Sequence, residues 1–199
     1  HQYHFRTNKV HQNNQKKIGI TCIHIGVLTL IIGSGITHFT ATESQCIIKE
    51  KESTHYSVDT KNLELVFIKQ NKTKDQLISI SANKLKKNKH IKNEKIPFEL
   101  KINQVIANSH IEIKPEIQND QLKGIGKFIK TKTLKKQYFD NYLNQKTIIF
   151  EIIDKNQNII GKYLASLSLD KMQKIIINNT IYLMSLRQKK VLLYKLYYY

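Results

Sequence analysis

Eight histidines and two cysteines are the side chains of this chain best equipped for chemistry, and their spacing limits what that chemistry is. Cys22 and Cys46 make neither a CxxC redox pair nor a metal cluster. His1, His4 and His11 lie in a polar, basic arm, where a weak metal contact is the most they offer; His55, His90 and His110 sit among polar residues of the kind found on surface strands and loops. No Ser/His/Asp arrangement and no nucleophile elbow is visible. Asp140, Asp154 and Asp170 fall among turns and element ends, where carboxylates act as caps. Gly124, Ile125 and Gly126 lack the strand and helix frame of a dinucleotide site and read as a turn. His24 and His38 remain, and both lie inside one long uncharged stretch.

That stretch, residues 18–39, is what must position them. It carries no charged side chain over 22 residues, and as one helix it spans about 33 Å, slightly more than the hydrocarbon thickness of a bilayer. Arg6, Lys9, Lys16 and Lys17 precede it without any acid, and Glu43 is the first charge after it. The positive-inside rule then places residues 1–17 as a cytoplasmic arm, residues 18–39 as the membrane helix, and residues 40–199 outside the cell's inner membrane. A cleavable signal peptide has a shorter apolar core and a small-x-small site. A buried helix of a soluble protein is seldom apolar all round. In this topology Cys22 is separated from the exit by about 25 Å of helix, so it cannot reach Cys46 for a disulfide.

Composition narrows the partners. The net charge of +18 comes almost wholly from lysine, with Arg6 and Arg187 the two arginines. Nucleic-acid recognition leans on the bidentate guanidinium fork, so no nucleic-acid partner is expected, and the lysine excess reads as a solvated surface. The cluster Lys84, Lys86, Lys87 and Lys89 reads as a loop rather than a lipid-binding patch. A chain that begins at His1 and ends on Tyr197, Tyr198 and Tyr199 is expected to be a fragment, incomplete at its C-terminal end.

Past Glu43 the pattern turns to alternation. Leu63, Leu65 and Phe67, then Leu77, Ile78 and Ile80 after a polar turn, read as a hairpin; Phe98, Leu100 and Ile102 form a strand with one wet face. His110 to Lys114 is a further strand, ended by Pro115. Residues 119–127 are a loop. Strands 147–153 and 159–166 flank a turn, and 174–178 pairs with 181–187 through Asn178 and Asn179. Short helices are expected at 134–143 and 167–173 only. The fold class is therefore mainly β: one N-terminal membrane helix, then an extracytoplasmic antiparallel β-sandwich or open barrel.

Taken together, these segments resemble the ResB-like family, the membrane subunit of the system II cytochrome c maturation machinery. Ile23, His24, Ile25 and Gly26 followed by residues 27–35 resemble the His-apolar-Gly entry to a glycine-rich helix in that family, and Glu43 with residues 47–53 resembles its acidic linker, although Lys51 stands where glycine is usual. Pro97-Phe98, Gly124-Ile125-Gly126, Gly161 within 159–166, and Tyr182 and Arg187 within 179–187 fall in the family's order. Residues 191–199 depart from it, because family members continue with more strands and another span, and usually carry earlier spans too. The resemblance implies assistance in delivering haem across the membrane and presenting it to a reduced apocytochrome c, beside a haem-handling membrane partner subunit, with no catalysis by the outer domain alone. It also implies that a histidine of this helix ligates haem in transit, a role that carries over onto His24.

The residues set conditions on that role. Gly19, Cys22, Gly26, Thr29 and Gly33 share one narrow helical face of small residues, fit for close helix approach. His24 lies nearly opposite. An imidazole facing bare lipid leaves polar nitrogens unsatisfied at several kcal/mol, so something should cover it: a haem iron, or a hydrogen-bonding group on a partner helix. His38, at the outer interface, is a weaker haem-handling candidate. The competing function is a membrane-tethered β module that binds envelope proteins or polymers and never meets haem.

Overall fold

The computed structural model describes residues 2–41, 43–48, 50–71, 73–116, 119–138 and 143–192, with side chains from residue 17 onward. It divides into two units, His1–Thr42 and Glu43–Tyr199. The first is a single helix, α1, Gln2–Thr40. The arm expected at 1–17 is thus helical from Gln2 and continuous with the apolar stretch. Lys17–Thr40 is long and apolar enough to cross a membrane, and none of its most apolar window is buried. Its threonines are compatible with lipid because each hydroxyl donates to the carbonyl four residues back: Thr21 to Lys17 at 2.9 Å, Thr29 to Ile25 at 2.8 Å, Thr37 to Gly33 at 3.0 Å and Thr40 to Ile36 at 2.8 Å.

The second unit is built from antiparallel strands: β1 (Ser44–Gln45), β2 (Tyr56–Lys69), β3 (Gln76–Ser81), β4 (His90–Ile91), β5 (Glu99–Ile106), β6 (Ser109–Ile113), β7 (Ile129–Thr133), β8 (Thr147–Ile153), β9 (Ile159–Ser166), β10 (Gln173–Ile177) and β11 (Thr180–Leu192). One sheet runs β1-β2-β11-β10, with β3 also on β2, and a second runs β4-β5-β8-β9. The hairpins expected from alternation are present with matching registers, Phe67 opposite Ile78, Ile149 opposite Leu164 and Ile175 opposite Tyr182. At the last turn Asn178 and Asn179 take φ of 47° and 59°. That left-handed pair is what a two-residue hairpin needs, and asparagine tolerates it better than most residues.

The two large sheets face each other as a sandwich. Leu65, Phe67, Ile78, Ile80, Met184 and Leu186 from one sheet pack with Leu100, Ile102, Ile148, Phe150 and Ile152 from the other in a single core. Aromatic rings bridge it edge-on: Phe67 lies 5.3 Å from Phe98 and 6.5 Å from Phe150, and Phe98 lies 5.4 Å from Tyr182. Such contacts add about 0.5–1.5 kcal/mol each beyond area burial. Leu164 and Ile149 point to the other face of the second sheet, where Leu122, Ile129 and Leu169 form a smaller core. The loop expected at 119–127 closes there in a 3₁₀ helix, Gly124–Phe128. Gly124 opens it at φ +66°, a value that favours glycine.

One expected helix, 167–173, does not form, and the described residues of the other, 134–143, hold no α-helix. Residues 167–173 are turn and extended chain entering β10: the Ser168 amide donates to Ser166 Oγ at 3.3 Å, the Leu169 amide to the Ser166 carbonyl at 3.1 Å, and Leu169 is drawn into the smaller core. Seven residues are too few to nucleate a helix against such competitors. Of 134–143, residues 134–137 are irregular, Tyr138 lies in a bend and Leu143 in a 3₁₀ turn, and 139–142, with Asp140, lie outside the described residues. Side-chain amides take the backbone groups a helix would use. Asn108 Nδ2 donates to the Lys135 carbonyl at 2.8 Å, and Asn144 both accepts from the Gln137 amide at 2.9 Å and donates to its carbonyl at 2.8 Å. Tyr197, Tyr198, Tyr199 and His1 also lie outside the described residues, as do the side chains of His4 and His11.

Candidate functional site

Helix geometry places His24 and His38 on one side of α1. Fourteen residues bring the second back to within about 40° of the first and carry it about 21 Å along the axis. That face is opposite the small-residue stripe, where Gly19, Gly26 and Gly33 have open space around the position of a Cβ. A single metal centre cannot take both rings across such a distance, so the two histidines are separate positions on one track.

His24 is held by its own helix. Its Nδ1 lies 2.7 Å from the Ile20 carbonyl oxygen. A carbonyl accepts and never donates, so Nδ1 is the donor in this contact, and Nε2 is the ring nitrogen it leaves uncommitted. The ring is exposed, and this contact fixes which nitrogen it offers. A neutral imidazole with its second nitrogen tied to a carbonyl is the form in which histidine binds metals. If the haem that the family resemblance implies is bound, His24 is the residue that would hold it, through Nε2. His38, also exposed, meets the ring of Phe39 edge-on at 5.4 Å.

The other candidates are dispersed. Among the described residues no three His, Cys, Asp or Glu side chains group as a metal site. Cys22 and Cys46 are both free thiols, and Cys46 Sγ lies 4.0 Å from the Tyr56 carbonyl. His55 is exposed in a bend, and His110 Nε2 stands 3.8 Å from Glu112. Asp154 caps the β8–β9 turn, accepting from the amides of Asn156 and Asn158 at 2.8 Å each.

Two charged pairs in the sandwich escape sequence reasoning. Glu64 on β2 is buried and sits opposite Arg187 on β11. Its Oε1 accepts from Arg187 Nε at 2.9 Å and from the Lys190 amide at 3.3 Å, while Ser79 donates to Oε2. The Lys190 amide is turned towards it by an irregularity between Gln188 and Lys190. On that irregular stretch Asp59 gathers the amides of Lys61 and Asn62 at 2.9 Å. Burial pushes the Asp59 carboxyl up, but the hydrogen bonds from Asn62 and Lys61 outweigh it and leave it below the usual aspartate value. At the other pair, His90 bonds Glu99, and Lys92 Nζ lies 3.4 Å away. The His90 bond is the main reason the Glu99 carboxyl is held below its ordinary value, with Lys92 helping against desolvation. Glu64 and Arg187 are 123 positions apart and are joined only by a cross-strand register, so no local pattern could announce that pair.

Two open clefts mark the surface. One of about 270 Å³ lies between Lys92, Pro97, Phe98, Glu99 and Asp154. The other, about 530 Å³, lies between Leu167, Ser168, Met172, Arg187 and Lys190. Of the domain residues behind the family resemblance, Phe98 and Tyr182 are core, Gly126 is buried in the 3₁₀ helix, Gly161 is buried in β9 and Arg187 is in an ion pair. Comparison with family models, with curated proteins and with solved structures finds no match for this chain.

Proposed function

We propose that this chain is a membrane subunit that assists cytochrome c maturation, carrying haem as cargo across the inner membrane and presenting it to a reduced apocytochrome c. What carries the reading is the Nδ1 contact of His24 to the Ile20 carbonyl at 2.7 Å. It leaves Nε2 directed away from its own helix in a segment suited to lipid, where an unsatisfied ring nitrogen costs several kcal/mol. Iron satisfies that nitrogen. The order of the ResB-like motifs supports the same reading. His24 would hold and orient the cargo through its imidazole, the exposed apolar side chains of α1 would keep water from it, and His38 stands further along the same face. The N-terminal end of α1 is cytoplasmic, the sandwich is extracytoplasmic, and a haem-handling membrane subunit covers the His24 face. The sandwich docks partners and does no chemistry alone.

The test is the haem content of the full chain, co-expressed with its partner subunit and purified in detergent. His24→Ala is expected to lower the pyridine haemochrome signal by about tenfold or more, since even the outer-shell partners of a ligating imidazole are worth that much in metal affinity. Haem absorbance unchanged by the substitution would reject the ligand role. Absence of haem from the wild-type complex would leave the tethered β module that never meets haem.

A further inference from the structure

Where β2 begins and β11 ends, the first sheet carries apolar side chains that stay exposed among the described residues. Ile47 is 74% exposed, Ile48 59%, Tyr56 38%, Val191 40% and Leu192 62%. They are neighbours by register: Tyr56 pairs with Leu192 and Ser57 with Val191, and β1, pairing Gln45 with Val58, leads straight into Ile47. Val191 and Leu192 are successive strand residues, so they show apolar surface on opposite faces of the ribbon. A flat protein partner would cover one face. A fluid apolar solvent covers both. Lys190 Nζ lies 4.0 Å over the Tyr56 ring, and a tyrosine joined to a lysine is the pairing favoured where hydrocarbon meets headgroup.

Chain length brings such a solvent within reach. Ile47 follows Thr40, the last residue of α1, by seven residues, at most about 25 Å of extended chain. From these observations we infer that the end of the sandwich formed by Ile47, Ile48, Tyr56, Val191 and Leu192 is an interfacial membrane-binding surface, seating these side chains at the headgroup boundary of a phospholipid bilayer. This inference rests on α1 spanning that bilayer. Scattered exposed apolar residues such as Leu77 and Ile176 are ordinary surface; this patch differs because its members are neighbours by register and Ile47 is only seven residues in sequence from the last residue of α1.

The chain has no tryptophan, so one introduced indole reports its own surroundings. Four variants of the full chain, Ile47→Trp, Leu192→Trp, Ile31→Trp within α1 and Ile176→Trp, are placed at low density in phosphatidylcholine and phosphatidylglycerol vesicles, with and without bromine on the acyl chains. All four positions are exposed. Ile176 pairs with Ile181, about 36 Å along β11 from Leu192. The expected result is about a twofold loss of emission in brominated vesicles for Ile47→Trp and Leu192→Trp, as for a ring about 5–10 Å inside the interface, a larger loss for Ile31→Trp and none for Ile176→Trp. Quenching of Ile31→Trp alone would overturn the surface while leaving the anchor standing, and would assign the patch to a protein partner. Equal quenching at Ile176→Trp would overturn it too. No quenching at any position would remove the anchor and the inference together.

Discussion

Charge placement inside the sandwich sets its most sensitive single residues. Arg187 neutralises a carboxylate that is almost wholly withdrawn from water, with side-chain exposures of 19% and 5% for Arg187 and Glu64. Arg187→Ala strands that charge and is expected to cost about 3–5 kcal/mol, measured by urea unfolding of the full chain in detergent micelles. The paired replacement Glu64→Leu with Arg187→Met removes both charges and is expected to recover most of that loss. Glu99 makes a pH prediction. Its folded-state pKa lies below the ordinary 4.5 because His90, and then Lys92, hold the carboxylate. The stabilisation is therefore complete above about pH 4.5 and disappears as pH falls through the lower folded-state value. In thermal melts, Glu99→Gln is expected to melt below the parent at pH 7 and to converge with it in acid. A gap of constant size down to low pH would mean that packing, and not charge, is what the substitution removes.

Hairpins are the elements that local sequence specifies best. Strands of alternating isoleucine separated by Asn-Asn or Asp-to-Asn turns pair with their nearest neighbours, because the turn residues accept left-handed or capped backbone at little cost. Asn179, at φ 59°, shows the size of this effect. Asn179→Gly is expected to raise stability by about 0.5–1 kcal/mol, and Asn179→Val to lower it by about 1–2 kcal/mol, since a β-branched residue is poorly suited to positive φ. Chemical denaturation with a shared slope is the measurement. The same locality explains the failures at 134–138 and 167–173. Their own residues do not forbid a helix, but Asn108 from a remote part of the chain, and Asn144 and Ser166 at the segments' own ends, claim the backbone groups first.

At the scale of the whole chain, a helix apolar enough to span a membrane precedes a sandwich with its own core. The basic flank before the span predicts that the sandwich is outside. Cys46, an exposed thiol, is a natural reporter of that side. In intact cells a membrane-impermeant maleimide is expected to label Cys46 of a Cys22→Ala chain, and protection until the membrane is permeabilised would invert the topology. His24 ties this scale to the residue scale, because the environment of one imidazole depends on which solvent and which partner surround its helix.

Composition and period sufficed for the uncharged stretch at 18–39, for the mainly β class and for five hairpin or strand segments, since each depends on neighbours within a few residues. The glycine-rich face and its opposed histidine were legible too, because a helix repeats its geometry and the positions follow by arithmetic. Tertiary structure alone decided which hairpins share a sheet, that Phe67, Phe98, Phe150 and Tyr182 meet in one core, and that Glu64 finds Arg187 across two strands. It alone gathered Ile47, Tyr56 and Leu192 at one end of a sheet. Most of those contacts join residues dozens to more than a hundred positions apart, and their free energy comes from burial and pairing that no short window of sequence contains.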